Sequence, residues 1–159
     1  MGAGKTSVGR RVAARLGRPL LDGDEVLAER TGGRTAADIA GSEGAEHLHA
    51  LEAEVALDLL GTTTPAVIGP AASVIEVEEV REAMAGHVVV WLTGAVERLA
   101  ADATGKAHRP FLDEADPLAL FTRQMAVREP LVLPMADLVV DVYSMSKDAQ
   151  ADAVVDLLR

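Results

Sequence analysis

The chain has 159 residues, 49% hydrophobic and 25% charged, a length and mix that suit one domain with a sizeable core and disfavour disorder, collagen-like repeats or a transmembrane span. Its 15 basic and 25 acidic residues leave a formal net charge of −10, which repels nucleic acid and anionic membranes, so an anionic ligand must be held by a local site. Cysteine is absent, which excludes a disulfide framework, a thiolate metal site and a cysteine nucleophile; with no basic-plus-apolar leader, a cytoplasmic location is expected.

In chain order, Gly2-Ala3-Gly4-Lys5-Thr6-Ser7 runs straight into a helical pattern in which Val8, Val12 and Leu16 recur every fourth residue and Gly17 supplies the stop. Leu20-Leu21 reads as the end of a buried strand that delivers Asp22 and Asp24 to its carboxyl edge, where either also suits the cap of the helix predicted over 25–30. A second helical piece follows at 36–40, and 45–60 is the best amphipathic pattern, with Leu48, Leu51, Val55 and Leu59 on one face. The apolar runs 66–68, 87–92 and 138–142 read as buried strands, separated by helical patterns at about 76–84, 94–103 and 117–128. A closing helix is predicted over about 146–159, with Ser146 as N-cap and Ala149, Ala153, Val154 and Leu157 on one face. Alternating β and α units define an α/β fold with a parallel sheet, and the absence of repeats or linkers makes 1–159 one domain. The one long polar connection, 104–116, reads as a lid.

A phosphate-binding loop needs backbone N–H groups turned inward by glycines, a lysine for the β- and γ-phosphates, and a hydroxyl for magnesium at the helix start. Gly2, Gly4, Lys5 and Thr6 supply these in order, although the motif's first glycine and the strand that should lead into the loop are not in the chain. A central parallel strand is costly to lose, because its neighbours' buried backbone groups go unpaired at about 1–3 kcal/mol each. The expectation is therefore that the native chain begins upstream of Met1, which an intact mass from the native source tests.

Gly2-Ala3-Gly4-Lys5-Thr6 with Val8-Gly9, then Leu21-Asp22-Gly23-Asp24, Thr31-Gly32-Gly33-Arg34, Ala37-Asp38-Ile39, Glu43-Gly44, Arg109-Pro110-x-Leu112 and Arg128-x-Pro130-Leu131 together resemble shikimate kinases over nearly the whole chain. The resemblance implies a three-layer P-loop kinase fold with five parallel strands, the first missing here. It also implies transfer of the γ-phosphoryl of ATP to shikimate, giving shikimate 3-phosphate, with Mg2+, in a monomer that acts on small molecules rather than nucleic acid or membrane.

On that resemblance Gly2, Ala3, Gly4, Lys5, Thr6 and Ser7 cradle ATP, and Lys5 stabilises the transferring charge. Thr6 and Asp22 hold the metal, the latter directly or through water, while Asp24 meets the acceptor hydroxyl as a base. Arg109 swings in with the lid beside Pro110 to neutralise the phosphates. Arg128 binds the acceptor carboxylate, and His49 and Gly69 belong to the acceptor site. The plainer readings are turn and cap duty for Asp22 and Asp24, solvation for Arg109, capping of a predicted helix end for Arg128 and a surface position for His49.

The sequence departs from the family pattern in two places on the acceptor side. His49 stands where the family has an arginine, and an imidazole cannot make the bidentate fork to a carboxylate. Gly69-Pro70-Ala71-Ala72 stands near the family's triple-glycine turn, with one N–H donor fewer and added side-chain bulk. The usual nucleotide-side arginine is also lacking around Asp102, with Arg98 and Lys106 near enough in sequence to compensate. The alternatives are a kinase for another small hydroxylated metabolite, a non-catalytic nucleotide-binding homologue, or a fragment that does not function.

Overall fold

A computed structural model describes residues 2–103 and 116–159. Helix α1 (Lys5–Leu16) buries Val8 and Val12 and stops at Gly17, whose φ of 62° places it in the left-handed region that a glycine reaches without steric cost. Strand β1 (Leu20–Asp22) pairs in parallel with β2 (Val67–Gly69), so that Asp22 and Gly69 are register partners at the carboxyl ends. Strand β3 (Val90–Thr93) pairs in parallel with β4 (Leu138–Asp141). These four described strands form two separate two-stranded ladders, with an apolar cavity of about 560 Å³ between them lined by Val8, Val12, Val67, Val90, Leu92 and Val154.

The helices cover the strands on both sides. On one face α1 and α8 (Lys147–Leu157) bury Val8, Val12, Ala151, Val154 and Val155 against Val67, Val90 and Leu138. On the other face α2 (Gly23–Arg30), α3 (Ala36–Glu43) and α4 (Ala45–Leu60) enclose Leu27, Ile39, Leu48, Val55 and Leu59 with Leu21 and Ile68. Helix α4 is covered on a second side too, where Ala53 and Ala56 meet Val74 and Val80 of the 3₁₀ turn Ala72–Glu76 and α5 (Glu78–Met84). Helices α6 (Val96–Ala103) and α7 (Pro117–Val132) pack Leu99, Ala100 and Phe121 against Ala3 and Val142.

The predicted elements all form, with shifted limits. The strand expected over 87–92 is Val90–Thr93, and the helix expected over 76–84 is divided into the 3₁₀ turn and α5. Helix α7 runs four residues past its expected end at Arg128, through Pro130, to the buried Val132. In α8 the expected face holds only at Val154: Ala149 and Leu157 are exposed, and Gln150, Ala151 and Val155 are buried beside Val154.

Candidate active site

The phosphate loop is shaped by glycine and held from behind. Gly2 and Gly4 both have φ of 78°, and Gly4 is the N-cap of α1 without contributing a side-chain cap. The first-turn N–H groups of α1 are thus presented at a helix N-terminus, the arrangement that suits phosphate. A side chain at Gly4 would meet Lys147, whose Nζ lies 2.8 Å from the position of a Cβ there. Lys147 Nζ donates to the Ala3 carbonyl at 3.2 Å and to Gln150 Oε1 at 3.3 Å. The fully buried Gln150 in turn donates Nε2 to the carbonyls of Val142 at 2.9 Å and Met145 at 3.0 Å. Helix α8 therefore buttresses the loop through two residues whose roles the sequence pattern does not reveal.

Asp22 is 5% exposed, and its two oxygens are used separately: Oδ2 accepts from Thr6 Oγ1 at 2.7 Å, while Oδ1 accepts from the Asp24 N–H at 3.0 Å as the N-cap of α2. Capping and contact with the phosphate loop are one residue's two functions here, not rival ones. Asp24 lies exposed in the first turn of α2, beyond the strand edge where Asp22 and Gly69 pair.

Among the described residues no three His, Cys, Asp or Glu side chains cluster as a complete metal cage. The Thr6–Asp22 pair nevertheless fits magnesium, which characteristically takes one or two protein oxygens and completes its shell with phosphates and water.

The opposite wall is formed by α4, the turn after β2 and α7. Ser73 Oγ donates a short hydrogen bond to Glu52 on α4. Burial pushes the Glu52 carboxyl above its usual range, with the Ser73 bond opposing the shift; His49, Asp24 and Lys5 all lie near enough to act on it electrostatically. Lys5, Asp24 and His49 are thus grouped around a carboxylate that the motifs did not single out. The one signal for it was its place three residues after His49 on the same helix.

Arg128 is interior to α7, so the plainer alternative of a helix-end cap is set aside: the helix continues and the dipole end lies beyond it. Its side chain is 13% exposed and donates Nε to Glu76 Oε1 at 2.6 Å and Nη1 to Gln124 Oε1 at 3.2 Å. Around α6, Asp102 accepts the Tyr143 hydroxyl at 2.8 Å, and the Arg98 guanidinium lies 3.8 Å from the centre of the Tyr143 ring. Burial foremost, with the Asp102 bond adding to it, raises the Tyr143 hydroxyl to about 12. Arg109, Pro110, Lys106 and the expected lid lie outside the described residues, except Asp116, whose Oδ1 caps α7 by accepting from the Ala119 N–H at 3.0 Å.

A parallel α/β core, a glycine-lysine loop opening a helix and a Thr–Asp pair beside it define a P-loop small-molecule kinase. Residues 1–159 match the family described as shikimate kinase. The chain is 35% identical to the shikimate kinase of Mesorhizobium japonicum over 99% of its own length and 77% of that relative. It is 33% identical to that of Chromobacterium violaceum, over 99% and 85% of the two chains. Shikimate kinase from Acinetobacter baumannii, solved in complex with shikimate, superposes with a TM-score of 0.88 at 28% identity, covering 99% of this chain and 88% of that one. This chain belongs to the shikimate kinase family.

Proposed function

We propose that this protein transfers the γ-phosphoryl group of ATP to a hydroxyl of shikimate, acting as a monomer in the cytoplasm. The observation that carries the reading is the contact of Thr6 with Asp22 beside the glycine-shaped start of α1, which puts a phosphate cradle, a lysine and hard oxygen donors at one strand edge.

Backbone N–H groups of 2–7 hold the phosphates, and Lys5 neutralises charge on the transferring group. Thr6 and Asp22 would hold magnesium, whose charge would offset that of the phosphates. Asp24 accepts the proton of the attacking hydroxyl. The bond from the γ-phosphorus to the bridging oxygen breaks as the bond to the acceptor oxygen forms, and ADP leaves with the electron pair. Phosphoryl transfer is mostly positioning and charge stabilisation, so a weakly basic carboxylate suffices. On the acceptor side His49, Gly69 and Arg128 contact the ring, with Arg128 directed to its carboxylate. Arg109 and Pro110 close over the nucleotide.

A second reading, phosphorylation of a different small hydroxylated acceptor, draws on His49 in place of the family's arginine. The test is ADP release with and without shikimate. Shikimate-dependent release that falls at least about 100-fold in Lys5→Ala supports the reading; ATP binding with no stimulation by shikimate overturns it.

A further inference from the structure

Glu76 ends the 3₁₀ turn after β2 and reaches across to α7, where its Oε1 lies 2.6 Å from Arg128 Nε. Arg128 Nη1 meanwhile donates to Gln124 Oε1 at 3.2 Å. A guanidinium grips a carboxylate bidentately along one of two edges, Nε with Nη2 or Nη1 with Nη2. Each edge of Arg128 therefore has one donor already engaged. The partners are unequally fixed: the Arg128 side chain is 13% exposed and held by α7, whereas that of Glu76 is 39% exposed and has water at hand to receive it. His49, unlike a guanidinium, supplies no second fork, so what happens at Arg128 decides how an acceptor carboxylate is received.

We propose that Glu76 is a specificity-determining residue: its carboxylate holds Arg128 in the acceptor's place and must swing into solvent before an anionic acceptor binds. The inference rests on the reading of Arg128 as the carboxylate-binding residue of the acceptor site. The displaced pair penalises anionic acceptors alone, because an acceptor with no carboxylate leaves Glu76 on Arg128. With the Glu76 partner open to water the pair is weak, so the penalty is a few-fold rather than a block.

The test compares wild type with Glu76→Gln, which keeps an oxygen facing Arg128 Nε and removes the charge. Binding of shikimate and of its uncharged methyl ester is measured by calorimetry, alongside steady-state kinetics. In Glu76→Gln the Kd and KM for shikimate are expected to fall about three- to five-fold, with the ester's Kd and the KM for ATP unmoved. Glu76→Ala should tighten shikimate in the same sense, Gln124 still holding Nη1. Shikimate binding that is unchanged or weaker in both variants, or an equal tightening of the ester, overturns the role of Glu76 and leaves the kinase reading standing. Failure of the wild type to bind shikimate overturns the acceptor reading and this inference with it.

Discussion

On the phosphate-loop side, the polar contacts tie the loop to its supports: Lys147 holds the Ala3 carbonyl, Gln150 accepts from Lys147, and Asp22 accepts from Thr6. On the acceptor side the charged groups meet one another: Glu76 is on Arg128, and Glu52 shares its surroundings with His49 and Asp24. On the proposed reading, one wall of the site is preorganised for a strongly anionic ligand, while the other has its cation partly neutralised before an acceptor arrives. Binding of ATP and binding of the acceptor should therefore respond to different residues, and substitutions can separate them.

The largest effect is expected at Asp22, whose cap and loop contact can be uncoupled. Asparagine caps a helix about as well as aspartate, so Asp22→Asn should leave thermal stability within about 0.5 kcal/mol while kcat falls on the order of 100-fold and more magnesium is needed for half-maximal rate. Asp22→Ala should add the loss of the cap, about 1 kcal/mol in denaturant unfolding. Equal stability losses in the two variants would mean that the buried carboxylate is chiefly structural.

Next comes Gln150, the fully buried amide under the loop. Gln150→Leu leaves the Val142 and Met145 carbonyls without this donor and should cost about 1–3 kcal/mol in urea unfolding. Because Lys147 loses a partner in the same change, the KM for ATP should rise while that for the acceptor does not. An equal rise in both would show that the two walls are not independent.

A smaller change is expected from His49→Arg, which gives the acceptor side a second guanidinium. If the acceptor carries a carboxylate, its KM should fall roughly tenfold in steady-state assays, the worth of one charge-assisted hydrogen bond. An unchanged KM for shikimate beside an improved rate with a neutral polyol would favour the second acceptor reading.

The two walls were also unequally legible in the sequence. The phosphate loop and its acidic partners are local, since glycine spacing and a short strand followed by Asp-x-Asp state their chemistry within a few residues. The acceptor wall is assembled from α4, the turn after β2 and α7, and its central pair joins residues 52 positions apart, which no spacing rule connects. Helix α7 runs past its expected end at Arg128 through Pro130, although a proline removes an N–H and crowds the preceding turn, at about 3 kcal/mol in a helix interior. Burial of Val132 and continuation into the next turn outweigh that local preference. Gln150 escaped notice for a related reason: periodicity assigns a polar residue to solvent, yet this amide is drawn inward by two backbone carbonyls, turning α8 about its axis from the expected face.

Glu52 gives the smallest effect and the one with a pH signature. Burial raises its carboxyl above the value it has in the unfolded chain, so between those two values the native state holds more proton than the unfolded state. Stability from this group is then fully present below the unfolded value and is lost as pH rises through the folded one. Glu52→Gln keeps an oxygen to accept from Ser73 and removes the charge that burial disfavours. The variant should therefore melt at about the same temperature as wild type near pH 4, and progressively above it as pH rises towards 8. A difference that stays flat across that range would mean that Lys5 and His49 stabilise the charged form as much as burial opposes it. The acceptor wall would then be balanced by its own cations, not strained by its carboxylates, and Glu76 would stand as the principal competitor there.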